Sequence, residues 1–155
     1  MLQRIQTLYL LMIVILSGIM IFSPLANLFN KVNSLEYIMN LKGIFLVQET
    51  GTIFQSNVWG LTAISFLVPI ISFITIFLYK NRMIQFRLSI INLVLMAGFY
   101  ALLFIYIWFA GQNLQTIWSL KLVTVIPLVN IVLNILVIRS ISKDEALVRS
   151  LNRLR

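Results

Sequence analysis

The composition of the chain excludes a water-soluble fold. Of its 155 residues, 61% are hydrophobic and only 10% are charged, whereas soluble domains contain roughly 45–50% apolar residues. With a mean hydropathy of +1.01, the lipid bilayer is its expected solvent. The formal net charge is +8, and the chain contains neither cysteine nor histidine. Disulfides, thiol nucleophiles, imidazole bases and the usual zinc ligands are therefore excluded.

Four long stretches without charge predict four membrane-spanning helices. An ionised side chain at the bilayer centre costs about 2.5–3.5 kcal/mol, so stretches without charge are the segments that can insert into the bilayer. Each stretch, trimmed by composition, is close to the ~20 residues that cross the hydrocarbon core. The predicted helices are 5–22, 58–79, 88–108 and 120–138.

The distribution of lysine and arginine predicts the orientation of these helices. Nine basic residues lie on one side of the predicted bundle and three on the other. Because positive residues stay in the cytoplasm, both termini are expected there, and the 23–57 loop is expected outside. The three tryptophans fall at predicted outer helix ends, where indole prefers the headgroup layer. They are Trp59, Trp108 and Trp118.

The outer loop 23–57 contains a candidate β-hairpin. Apolar runs at 43–48 and 52–55 flank Glu49-Thr50-Gly51, and Gly51 suits the left-handed position of a three-residue turn. A two-stranded hairpin is only marginally stable alone. It either caps its own helix bundle or docks on a partner protein.

The C-terminal tail predicts a separate amphipathic helix over 142–155. Ser142-Lys143-Asp144-Glu145 fits a capping box, and basic residues follow toward the C-terminus. The helix either lies on anionic inner-leaflet lipids or docks its leucine face into another protein. Nucleic acid is not an expected partner, because no aromatic residue interleaves the arginines. The candidate lipid or partner contacts are Arg4, Lys80, Arg82, Arg87, Arg139, Lys143, Arg149, Arg153, Arg155, Leu147, Leu151 and Leu154.

The predicted spans hold no Asp, Glu, Arg or His, and their one Lys is Lys121 at an edge, which argues against an ion-coupled carrier. Their main polar residues are Asn92, Asn130 and Asn134. Asn92 and Asn134 lie five residues inside Arg87 and Arg139, so we expect the two amides to meet at one depth or share a network. The asparagines are either interhelical hydrogen-bonding residues or part of a polar ligand pocket.

The two ends of the chain resemble a known family. The carrying segments are Met1 to Leu10, of sequence MLQRIQTLYL, and Lys143 to Arg155. They are similar to an integral-membrane family of the Bacteroidota described as domain of unknown function 4293. The resemblance implies a bacterial inner (cytoplasmic) membrane, and it supplies no activity, cofactor or catalytic residue.

Together these features predict an all-α membrane fold: a four-transmembrane-helix bundle over 1–141, with a small extracytoplasmic β-hairpin loop and the short C-terminal amphipathic helix. The expected function is a non-enzymatic accessory or assembly subunit of a larger envelope complex, such as a protein export machinery. Its expected partners are membrane lipids and other inner-membrane proteins, with no cofactor and no metal. The alternative is a small carrier or binder of a neutral or lipidic ligand, with Asn130, Asn134, Phe99, Tyr100 and Tyr106 lining its pocket.

Overall fold

Four long apolar helices form the body of the protein. The computed structural model describes residues 2–30, 35–48, 51–78, 81–114 and 116–153, with side chains described for 5–30, 35–48, 51–78, 81–113 and 116–144. The helices are α1 (Leu2–Phe22), α2 (Trp59–Phe77), α3 (Arg82–Leu114) and α4 (Ile126–Arg153), and a short 3₁₀ helix, Leu122–Val125, precedes α4. All four are long and apolar enough to cross a membrane, which is the property of a membrane protein.

The helices pack as a ring in which each one contacts the next, and α4 returns to α1. On α1, the buried residues Gln6, Leu10, Ile13, Ser17 and Met20 recur every three or four positions, which places them on one helical stripe. The opposite face of α1 exposes large apolar side chains, which suits contact with lipid.

A five-stranded antiparallel sheet covers one end of the bundle. Its strands are β1 (Ala26–Asn30), β2 (Glu36–Asn40), β3 (Gly43–Gln48), β4 (Gly51–Ser56) and β5 (Thr116–Leu120), in the order β4-β3-β2-β1-β5. The first four come from the segment between α1 and α2, and β5 comes from the connection between α3 and α4. We call this end of the bundle the sheet end, and the opposite end, where α1 begins and α4 ends, the terminal end.

One face of the sheet packs on the helix ends. Leu28 and Met39 are at most 1% exposed and belong to one core cluster with Leu61, Phe99 and Leu103 of the helices. Because side chains alternate along a strand, this burial directs the intervening residues away from the bundle. The Thr62 hydroxyl of α2 also donates to the carbonyl oxygen of Leu41 in the β2–β3 turn.

The predicted fold class is wrong in its β structure. The two predicted strands are present and pair with each other, but they are two strands of a five-stranded sheet rather than an isolated hairpin. The chain is therefore not an all-α bundle. Segment 120–138, predicted as one helix, begins at the last residue of β5 and passes through the 3₁₀ helix before α4 begins at Ile126.

The predicted C-terminal helix is also wrong as a separate element. Helix α4 continues without interruption from Ile126 to Arg153. The Ser142 hydroxyl donates to the carbonyl oxygen of Ile138, four residues earlier, at 3.0 Å. That bond belongs to a helix interior rather than to an N-cap, so no new helix starts at the proposed capping box.

Candidate functional site

The face of the sheet that points away from the bundle carries six apolar side chains among polar ones, which are Asn27, Glu36, Asn40, Thr52 and Ser119. Cross-strand pairing places Ile117 opposite Phe29, and it aligns Ile38, Phe45 and Phe54 across β2, β3 and β4. An antiparallel sheet with one solvated face normally shows polar residues there. We call these apolar residues the outward patch: Phe29, Ile38, Phe45, Val47, Phe54 and Ile117.

The outward patch leaves aromatic surface uncovered. Phe29 is 43% exposed and Phe54 is 54% exposed. The rings of Phe45 and Phe54 meet edge to face with centroids 5.7 Å apart, so they form one continuous surface. Among the described residues of the patch strands, Glu36 is the charged side chain on this face. Exposed apolar surface of this kind marks an interaction site.

Both edges of the sheet are open in the described part of the chain. All six residues of β4 are exposed, and β5 forms the opposite edge with four of its five residues exposed. A free edge offers unpaired backbone groups to another strand. The outward patch therefore reaches both edge strands, through Phe54 on β4 and Ile117 on β5.

The three span asparagines each donate a hydrogen bond to another helix. The amide nitrogen of Asn130 lies 3.1 Å from the Ser17 hydroxyl of α1. The amide of Asn92 donates to the Ser72 hydroxyl of α2 at 2.8 Å. The amide of Asn134 donates to the carbonyl oxygen of Ser89 on α3 at 2.8 Å. The two amides do not bond to each other and share no partner, so the expected Asn92–Asn134 pair is absent, although Ser89 lies one helical turn from Asn92 on α3.

We expect the destabilisation caused by Asn92→Leu and by Asn134→Leu to add. Each replacement removes one interhelical bond, worth about 0.6 kcal/mol on average and at most about 1.7 kcal/mol. Because the two amides do not share a partner, the double variant should lose the sum of the single losses within about 0.5 kcal/mol. Thermal unfolding of the four proteins in one detergent measures this. A double variant no less stable than either single variant would mean that the two bonds are coupled.

A second polar cluster lies at the terminal end. The Gln6 amide donates to the Asp144 carboxylate at 2.9 Å and to the Ser140 hydroxyl at 3.3 Å. An Arg82 guanidinium nitrogen donates to the carbonyl oxygen of Asp144 at 3.2 Å. Asp144 is 6% exposed, so the residue predicted to cap a helix instead joins α4 to α1. Gln6 was missed, although it shares the helical stripe that carries Ser17.

The predicted basic contacts are only partly within the described residues. Arg87, Arg139 and Lys143 are exposed at the terminal end, and Arg82 is half-buried there. Lys80 and Leu154 lie outside the described residues, as does Arg155. For five further contacts the backbone is described and the side chain is not: Arg4, Leu147, Arg149, Leu151 and Arg153.

The residues proposed for a ligand pocket are not brought together. Tyr106 lines a cavity of about 540 Å³ beside the sheet. Phe99 and Asn130 line a separate cavity of about 10 Å³ inside the bundle, which is too small for a lipidic ligand. The Tyr100 hydroxyl donates to the carbonyl oxygen of Thr124 at 2.7 Å. No group of three Asp or Glu side chains suited to a metal ion occurs in the described part of the chain.

Comparison with known proteins assigns a family and no activity. None of the curated proteins compared with the chain is similar to it. The sequence model of the domain of unknown function DUF4293 matches residues 2–154. Because that match spans nearly the whole chain, the protein belongs to the DUF4293 family.

Proposed function

We propose that this protein is a non-enzymatic accessory or assembly subunit of a larger envelope complex in a bacterial inner membrane. The single observation that carries the proposal is the outward patch, an apolar surface directed away from the helix bundle. In the proposed orientation, lipid covers the sides of the bundle and this face points away from the bilayer. A folded protein domain is the occupant that would bury it.

The distribution of charge indicates the side of the membrane on which the proposed partner lies. Arg87, Arg139 and Lys143 are exposed at the terminal end, and nine of the twelve basic residues belong to that side of the sequence. The positive-inside rule then puts both termini in the cytoplasm and the sheet outside it. A component of protein export machinery that extends over the membrane surface is one partner of this kind.

Geometry argues against a second copy as the occupant. Two copies in one membrane with the same orientation direct their outward patches along the same membrane normal, so the patches do not face each other. The partner must instead extend over the sheet. The partner surface we expect is apolar opposite Phe29 and Phe54, with a neutral or basic group opposite Glu36, which pairs directly with Phe29.

Photocrosslinking in cells tests the proposed surface. A benzophenone amino acid replaces Phe29 or Phe54, and the same replacement of the exposed Phe66 on α2 serves as the control. We expect the first two proteins to form an adduct with one shared partner protein, and the Phe66 protein to form none with it. Adducts that contain only a second copy of the chain, or the same adduct from all three positions, would contradict the proposal.

Co-purification tests the energetic contribution of the patch. Because an aromatic residue at an interface centre contributes about 2 kcal/mol or more, Phe29→Ala with Phe54→Ala should reduce recovery of the crosslinked partner roughly tenfold or more. Phe66→Ala removes the same side chain from the helix surface and should leave recovery unchanged. Equal recovery of the partner with the unaltered protein, the double variant and Phe66→Ala would show that the patch is not the binding surface.

A further inference from the structure

The 540 Å³ cavity lies between the sheet and the part of α3 nearest to it. Its volume is within the roughly 300–1,000 Å³ of small-molecule sites. One wall comes from β3, β4 and the residues after β4, and the other comes from a single face of α3. The lining residues are Ile44, Gln55, Ser56, Asn57, Leu102, Ile105, Tyr106, Phe109, Ala110 and Asn113.

The α3 wall is an apolar stripe that runs along the helix axis. Leu102, Ile105, Tyr106 and Phe109 follow the three- and four-residue spacing of one helix face. From Leu102 to Phe109 the stripe extends about 10 Å. This wall is therefore long and apolar, a shape that suits an extended hydrocarbon chain.

The rim of the cavity nearest the sheet is polar and uncharged. Gln55, Ser56, Asn57 and Asn113 contribute amide and hydroxyl groups. None of these four side chains has a hydrogen-bond partner among the described residues. The rim thus offers free donors and acceptors, while the lining contains no charged side chain.

The polar rim and the apolar stripe of the cavity are arranged like the headgroup and the acyl chain of a lipid. Two exposed tryptophans lie near the cavity. Trp59, which is 71% exposed, is the first residue of α2 and follows the rim residue Asn57 by two positions. Trp108, which is 70% exposed, is next to Phe109 of the apolar stripe on α3. Tryptophan prefers the headgroup layer. The polar rim therefore lies at headgroup depth, and the stripe continues from it toward the hydrocarbon.

We propose that this cavity binds one membrane phospholipid, with an acyl chain along the α3 stripe and the headgroup hydrogen-bonded by the polar rim. The site is distinct from the outward patch, and it does not depend on the proposed partner. Because the lining has no basic side chain to pair with a net anionic headgroup, we expect a headgroup without net charge, such as that of phosphatidylethanolamine.

Native mass spectrometry of the full-length protein in detergent, with phosphatidylethanolamine added, tests the site. We expect one lipid to bind saturably. Ala110→Phe places a ring in the cavity. It should weaken lipid binding about tenfold, because the acyl chain loses apolar contact comparable to that of one side chain. Ala101→Phe makes the same change at an exposed position of α3 outside the cavity, and it should bind lipid as the unaltered protein does.

A second pair of variants keeps the test valid if Ala110→Phe does not fold. Phe109 and Phe104 are 60% and 57% exposed on α3, and only Phe109 lines the cavity. Phe109→Ala should lower lipid retention, whereas Phe104→Ala should not. If Phe109→Ala and Phe104→Ala retain lipid equally, or if binding to the unaltered protein does not saturate, the cavity is not a lipid site.

Discussion

Leu28→Ala is expected to lower the free energy of unfolding by about 2–4 kcal/mol, the usual cost of deleting a buried leucine side chain. Leu28 is 1% exposed and lies on the inner face of β1, between the sheet and the helix ends. Its neighbours belong to the sheet and to the helices, so the cavity left by the side chain cannot close unless the sheet moves relative to the helices.

This loss should exceed that of a comparable deletion in the middle of the bundle. Lipid tails are as apolar as leucine, so helices within the membrane lose packing but no hydrophobic transfer energy. In the proposed orientation the sheet lies outside the lipid, so unfolding exposes Leu28 to water and the transfer energy is lost in full. Ile13, fully buried between the helices, provides the comparison, and Ile13→Ala should be the milder change.

Phe29→Ala is the matched control, because Phe29 is the next residue and belongs to the opposite face of the sheet. It should remain within about 1 kcal/mol of the unaltered protein, as expected of a surface position. Trp118 pairs with Leu28 across β1 and β5, so tryptophan fluorescence during denaturation in detergent reports on this region. An equal loss of stability in Leu28→Ala and Phe29→Ala would contradict the assignment of the two faces.

The helices could be predicted because one physical rule governs them. A charged side chain is costly in lipid, so the uncharged stretches locate the spans directly. Their lengths could not be predicted in the same way. Helix α3 has 33 residues, or about 50 Å, which exceeds the ~30 Å of hydrocarbon. Hydropathy reports how much of a helix is in lipid, whereas Arg82 and Asn113 at its ends remain compatible with helix in water.

Three strands were missed because local patterning does not specify them. The apolar residues Phe29 and Ile117 on the outward face remove the polar alternation that identifies a strand with one solvated face. Strand β1 lies between α1 and α2, and β5 lies between α3 and α4, so their pairing joins segments that α2 and α3 separate in the sequence. No short-range signal encodes such a pairing, and it depends on the bundle bringing the two connections together.

The candidate sites were predictable in part for the same reason. The asparagines stood out because amides in lipid require partners, but which serine each one binds depends on helix rotation. Asp144 was misassigned because the sequence Ser-Lys-Asp-Glu fits a cap when it is read alone. Gln6, at the other end of the chain, provides the partner that places the carboxylate inside the bundle.

Gly43→Ala is expected to destabilise the β3–β4 pair by about 3–4 kcal/mol, from backbone strain together with overpacking. Gly43 has a φ of +149°, which side chains other than hydrogen disfavour. A Cβ there would lie 2.6 Å from a ring carbon of Phe54 and 2.7 Å from the carbonyl oxygen of Ser56. The ring has room to rotate toward solvent, but the carbonyl belongs to the backbone of β4 and forces that strand to move.

Gly51→Ala separates the two contributions. Gly51 has a φ of +137°, yet a Cβ at this position meets no heavy atom within 4 Å. It should therefore lose only the strain of the backbone conformation, about 1–2 kcal/mol. Hydrogen exchange at the amides of β3 and β4 measures both variants, and the protection lost in Gly43→Ala should exceed that lost in Gly51→Ala.

The displacement of β4 in Gly43→Ala links this region to both proposed sites. Phe54 belongs to the outward patch, and Ser56 lines the lipid cavity, so a shift of the strand alters both surfaces at once. We expect Gly43→Ala to reduce partner crosslinking from position 54 and lipid retention together, while the four helices keep their circular dichroism signal. Equal exchange protection in the two glycine variants would show that β4 accommodates the Cβ, and both reductions should then be absent.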